Sequence, residues 1–277
     1  MEQRTLAHSS ASVVGLGTWQ LGADWGDVSE ADALAVLESS VEAGVTFFDT
    51  ADVYGDGRSE QVIGTFVKTH PGITVATKMG RRMDQVPENY SLENFRAWTD
   101  RSRRNLGVDT LDLVQLHCPP SAVIDADRTY DDLDTLVSEG VIAAYGVSVE
   151  TCDQALSAIA RPNVASVQII LNAFRLKPLD EVLPAAAEAG VGIIARVPLA
   201  SGLLSGRYTE STRSRPTTTA PTTATARRST WGRRSPVSTS PPACGPPRSS
   251  RTSSTPSARP ASARPRSPWR GSGSSRA

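Results

Sequence analysis

Beyond Glu210 the chain contains no Asp, Glu, Leu, Ile, Met, Phe, Tyr, Lys, Asn, Gln or His, and Val237 is the only aliphatic residue there larger than alanine. Such a stretch has too little apolar area to offset the entropy of ordering it, so any core must come from what precedes it. The 277 residues therefore divide into a body expected to fold, residues 1–209, and an Arg/Ser/Pro/Thr tail expected to be disordered, residues 210–277. The neutral total charge hides this break. The first 210 residues carry 16 basic against 29 acidic side chains, a net charge of −13, and residues 211–277 carry 13 arginines and no acid. An acidic body has no specific attraction for nucleic acid, while the tail offers only a crude electrostatic one.

Cys118, Cys152 and Cys244 are far apart and lack the spacing of a zinc site or a disulfide framework. No metal is expected, and a reducing, cytoplasmic setting fits. Residues 1–12 lack the apolar core of a signal peptide, and no run of about 18 apolar residues suggests a membrane span. No feature specifies an oligomeric state.

From 13 to 200, short β-branched runs alternate with longer amphipathic segments, which predicts a parallel sheet with helices between its strands. Strands are expected near 13–18, 45–49, 73–78, 111–116, 143–148, 165–170 and 191–196. Ser29 can cap a first helix, with Asp32 as partner in a capping-box variant and Leu34, Leu37 and Val41 on one face. Further helices are expected near 59–68, 91–106, 130–139, 151–160 and 179–189, the last with Pro184 as an alternative starting point. Gly44, Gly107, Gly140 and Gly190 punctuate helix ends. The fold class is thus α/β, a (β/α)8 barrel of the TIM type that is incomplete, with about seven β/α units. Closure requires eight, and the tail stands where the last would fall. The abrupt change near Tyr208 to Glu210 points to a shifted reading frame in a GC-rich coding sequence.

Four polar residues lie at or just beyond the ends of these strands: Asp49 after Thr46-Phe47-Phe48, Tyr54 five residues on, Lys78 after Val75-Ala76-Thr77, and His117 after Val114-Gln115-Leu116. In a parallel barrel all such ends open on one face. A phenol beside an ammonium, a carboxylate and an imidazole can protonate a carbonyl oxygen while hydride arrives at the carbon. Taken singly, each has an ordinary reading: Asp49 as a turn cap, Tyr54 as a loop aromatic, Lys78 as a snorkelling surface residue, His117 as a satisfied histidine before Pro119-Pro120.

Their order and surroundings resemble the aldo-keto reductase family, over Gly15-Leu16-Gly17-Thr18-Trp19, Phe48-Asp49-Thr50-Ala51-Asp52, Gly146-Val147-Ser148, Gln168 and Pro198-Leu199-Ala200-Ser201-Gly202. The resemblance implies an NADPH-dependent oxidoreductase that reduces an aldehyde or ketone, with Asp49, Tyr54, Lys78 and His117 as its catalytic residues. It implies NADP(H) as cofactor, along Thr18, Trp19, Asp49, Ser148, Gln168, Arg196, Val197, Pro198, Leu199 and Ser201. Arg196 departs from many relatives, which place an aromatic residue there. The family's contacts to the adenosine 2′-phosphate lie after strand eight, where this chain has its tail. A small carbonyl compound is the implied substrate, against Trp19, Trp25, Tyr54 and His117. Arg81 and Arg82 either favour an anionic substrate or are solvated loop charges. Two other readings share these residues: a nucleotide-binding regulatory module of the channel β-subunit type, and a truncated, inactive reductase.

Overall fold

The computed structural model describes residues 1–7, 9–22 and 28–207. Trp25 and the tail, with the expectations attached to them, lie outside the described residues. A short antiparallel hairpin comes first, β1 (Gln3–Leu6) and β2 (Ser9–Ser12). Seven parallel strands follow in one sheet, in sequence order: β3 (Leu16–Gly17), β4 (Phe47–Asp49), β5 (Thr74–Met79), β6 (Leu113–His117), β7 (Tyr145–Ser148), β8 (Val164–Ile170) and β9 (Gly192–Arg196). Helices α1 (Glu30–Glu42), α2 (Arg58–Val67), α3 (Leu92–Leu106), the short α4 (Ser121–Ile124), α5 (Asp127–Ser138), α6 (Cys152–Ile159) and α7 (Val182–Ala189) connect them. This is the expected incomplete (β/α)8 barrel, curled and unclosed among the described residues, with β3 and β9 at its edges.

Capping chemistry sets the helix boundaries. Ser29, Ser91 and Thr151 each accept the amide of the residue three places on, which starts α1, α3 and α6. The expected partnership of Ser29 with Asp32 forms in altered shape: Asp32 accepts from the Ser29 hydroxyl at 2.7 Å. Gly107 and Gly190 end α3 and α7 in the left-handed conformation. Helix α7 begins at Val182 rather than at 179 or at Pro184. Pro184 sits in its first turn, where a missing N–H removes no helical bond.

The expected strand at 13–18 shortens to Leu16–Gly17, because the chain before it is used differently. Ser12 exchanges two hydrogen bonds with Thr46, its amide donating to Thr46 Oγ1 at 3.0 Å and its hydroxyl accepting the Thr46 amide at 2.9 Å. This ties the unforeseen β1–β2 hairpin to the start of β4.

Strand alternation then sorts the core into two parts. Phe48, Leu116, Val147 and Val167 face outward and pack with Leu37, Ile63, Phe95, Leu133 and Val182 of the helices. Phe47, Ala76, Leu113 and Ala144 face inward and, with Ala11 and Leu6 of the hairpin, plug one end of the barrel. Two residues further along each strand, at the other end, the same inward positions hold Asp49, Lys78, Gln115, Gly146 and Arg196. Gly146 is needed as glycine because a Cβ there would fall 2.2 Å from Ser166 Oγ on β8.

Candidate active site

Parallel register carries the polar inward positions to one rim, pairing Lys78 with Gln115, His117 with Ser148, and Ser148 with Gln168. Asp49, the last residue of β4, is the hub. Its Oδ2 accepts from Lys78 Nζ at 2.6 Å, and its Oδ1 accepts from Gln115 Nε2 at 3.1 Å and Gln168 Nε2 at 2.9 Å. Lys78 is only 1% exposed and gives a further hydrogen bond to the Thr50 carbonyl at 2.8 Å. Burial alone would weaken its hold on the proton. The charge of Asp49, the Tyr54 phenol and their hydrogen bonds outweigh it and hold the lysine above its usual range.

Tyr54 opens a tight turn, Tyr54–Gly57, beyond β4. Gly55 there has φ 58°, and a Cβ would fall 2.1 Å from the Gly22 carbonyl, so the turn seats directly on the turn Trp19–Gly22. The Lys78 ammonium lies 5.3 Å from the Tyr54 ring centroid. Burial raises the phenol above its ordinary value, and the adjacent Lys78 charge and hydrogen bond recover only part of that shift. Tyr54 is therefore protonated at neutral pH. His117 meets the Tyr54 ring edge-on at a centroid distance of 6.0 Å. Burial, then the charges of Lys78, Arg81 and Arg196, push its imidazole well below its usual range, so it is neutral. Its Nδ1 is buried without a hydrogen-bond partner.

The rim thus brings together all four expected catalytic residues, with Ser148 and Gln168 beside them. Ser148 Oγ donates to Gln168 Oε1 at 3.3 Å. Thr18 is buried, and its hydroxyl donates to the Asp49 carbonyl at 3.0 Å while accepting from Ser59 at 3.0 Å, so it braces the backbone under the site. Trp19 follows at the rim and is 39% exposed. Arg196, at the end of β9, donates to the Val149 carbonyl at 3.0 Å and Glu150 Oε1 at 2.8 Å. Val197 to Ser201, with Pro198 and Leu199 exposed, form tight turns in which Val197, Ala200 and Ser201 have positive φ. Arg82 is bonded to the Tyr54 turn, at the Asp52 carbonyl and Asp56 Oδ1. The described residues hold no group of three or more potential metal ligands, and no helix among them is long and apolar enough to cross a membrane.

Two residues of the site had not been singled out from sequence. Gln115 is polar in an otherwise apolar strand, at the inward position two before His117. That signal was available. Asp52 is wholly buried, and neither carboxylate oxygen has a partner of proper hydrogen-bond geometry. Burial, with Glu60 adding to it, pushes Asp52 up to about 7, against the pull of Arg82, Arg101 and the Val53 amide. The raised value sets the sign of its effect on stability. The folded state binds this proton more tightly than the unfolded one, so the contribution is complete below about pH 4 and lost as pH rises to about 7. The loss is on the order of 4 kcal/mol. Asp52→Asn is expected to remove most of that slope, as measured by urea unfolding at pH 4.5, 6 and 8. Parallel pH dependences for the two proteins would show that Asp52 does not change protonation on folding.

A parallel β/α barrel whose strand ends converge on a buried lysine–carboxylate pair with a tyrosine and a histidine defines a class of strand-end enzyme. The profile of the Aldo/keto reductase family matches residues 13–243, and the chain belongs to that family of oxidoreductases. It is 31% identical over 212 residues to the uncharacterized oxidoreductase YqkF of Bacillus subtilis, covering 74% of this chain and 67% of that one. It is 30% identical over 215 residues to the aldo-keto reductase yakc [NADP(+)] of Schizosaccharomyces pombe, covering 74% and 63%. Among solved structures, an aldo-keto reductase from Bacillus halodurans in its holo form superposes with a TM-score of 0.67 at 30% identity, covering 78% of this chain and 72% of that one. The chain spans about two thirds of the length of these curated relatives.

Proposed function

We propose that the chain reduces an aldehyde or ketone to an alcohol, with NADPH as hydride donor and Tyr54 as general acid. The observation that carries this reading is the buried Lys78 ammonium, held by Asp49 at 2.6 Å and set against the Tyr54 ring. As hydride reaches the carbonyl carbon, the C=O π pair moves to oxygen and takes the Tyr54 proton. The phenolate left behind is stabilised by Lys78 and recovers a proton from water. A phenol titrating above its usual value is a weak acid, and the fixed ammonium offsets that where the negative charge develops. Neutral His117 is suited to orient the substrate oxygen by a hydrogen bond without competing as an acid.

The residues present suit a nicotinamide. Ser148 and Gln168, bonded to one another beside Asp49, offer the hydroxyl and amide that a carboxamide requires. The S. pombe relative carries NADP(+) in its name, which supports NADP(H) here. When bound, the cofactor supplies the hydride. A small-molecule carbonyl substrate is the partner this chemistry needs.

The test is NADPH titration by its fluorescence, followed by turnover with a panel of aldehydes. Saturable binding with many turnovers per chain is expected. Binding without multiple turnover would replace the enzyme reading with a nucleotide-sensing one, and absence of both would mean that the present chain is an inactive reductase.

A further inference from the structure

We infer that Arg101 is a positioning residue for Tyr54, assisted by Arg82, and this rests on Tyr54 being the proton donor. The turn that carries Tyr54 has three consecutive residues with positive φ: Gly55 at 58°, Asp56 at 52° and Gly57 at 95°. Asp56 is not glycine, and its side chain is 76% exposed, so packing does not hold it in this rarely populated conformation. Hydrogen bonds from outside do. Arg101 reaches over from α3, its Nη1 donating to the Asp52 carbonyl at 3.2 Å and its Nη2 to the Asp56 carbonyl and to Asp56 Oδ1 at 3.0 Å. One guanidinium thus grips the backbone two residues before Tyr54 and two residues after it. Arg82 adds bonds to the Asp52 carbonyl at 3.4 Å and to Asp56 Oδ1.

The planar fork of arginine suits this double grip, whereas a lysine ammonium, a point donor on a flexible stem, does not bridge the two carbonyls in the same way. Beneath the turn, Gly55 already touches the Gly22 carbonyl, so the turn cannot sink further, and Arg101 stops it from lifting. The phenol is thereby kept beside Lys78. A displacement of about 1 Å of a reacting group costs on the order of 100-fold in rate.

The experiment compares the 277-residue chain with Arg101→Met, Arg101→Lys, Arg82→Met, Tyr54→Phe and the double variant Tyr54→Phe/Arg101→Met. For Arg101→Met, kcat on an aromatic aldehyde is expected to fall about 10- to 100-fold, with KM and the NADPH dissociation constant within about twofold of the parent. Arg101→Lys should restore only part of the loss, and Arg82→Met should show a smaller one. In the Tyr54→Phe background, Arg101→Met should change the residual turnover by less than about twofold, because its effect passes through the missing hydroxyl. A full additional loss in that background overturns the inference, as does an unchanged kcat in Arg101→Met. Unchanged turnover in Tyr54→Phe alone removes instead the acid assignment on which it rests. Hydrogen exchange gives a readout that needs no turnover: amides 53–57 should exchange at least about tenfold faster in Arg101→Met, with those of β6 unaltered. Equal exchange at 53–57 would also overturn the clamp.

Discussion

Tyr54→Phe is expected to lower aldehyde turnover by about 100-fold or more while leaving NADPH affinity nearly unchanged. The substitution keeps the ring that meets His117 edge-on and lies beside Lys78, and removes only the oxygen that carries the proton. The carbonyl oxygen would then have to draw its proton from water or from the buried lysine. Lys78 is a poor substitute, because Asp49 and its own hydrogen bonds hold it above its usual range. Steady-state kinetics with one aldehyde, together with a fluorescence titration of NADPH, checks this. Unaltered kcat would remove Tyr54 from the chemistry.

Lys78→Met should cost both activity and stability. Removing one member of a buried ion pair typically costs about 3–5 kcal/mol, because the other charge is left without compensation. The lower end is expected here, about 3 kcal/mol, since Asp49 keeps 18% exposure and two amide donors, Gln115 and Gln168. Urea unfolding measures the loss. Adding Asp49→Asn to Lys78→Met should recover part of the stability, because it removes the stranded charge, but none of the turnover. A loss below about 1 kcal/mol would mean that solvent screens the pair and that Lys78 is held mainly by the Thr50 carbonyl.

The barrel was legible in the sequence because several strands are apolar runs with a polar residue at or next to the end, as Asp49, Lys78 and His117 are. Glycines that take positive φ made helix ends legible too, as at Gly107 and Gly190. The β1–β2 hairpin was not legible. Its strands are short and polar, and its place depends on Ser12 meeting Thr46, a contact between distant segments. Thr18 stood out through its motif, but the bonds its hydroxyl makes to the Asp49 carbonyl and to Ser59, on segments 31 and 41 residues away, were not legible. Asp52 and Arg101 escaped notice for the same reason as the hairpin. A carboxylic acid looks alike in a loop whether it is wet or sealed, and an arginine on a helix looks alike whether or not its tip reaches a turn 49 residues earlier.

The bond from Gln168 to Asp49 joins β8 to β4, four strand spacings apart in the sheet. Laid flat, strands about 4.8 Å apart would separate those two backbones by about 19 Å, far beyond the reach of a glutamine and an aspartate together. At 2.9 Å the bond is a chord drawn across an arc. It works as a tie-rod works in an arch, holding the bend from inside the span, so that curvature is secured at the rim where the polar side chains gather although β3 and β9 do not pair among the described residues.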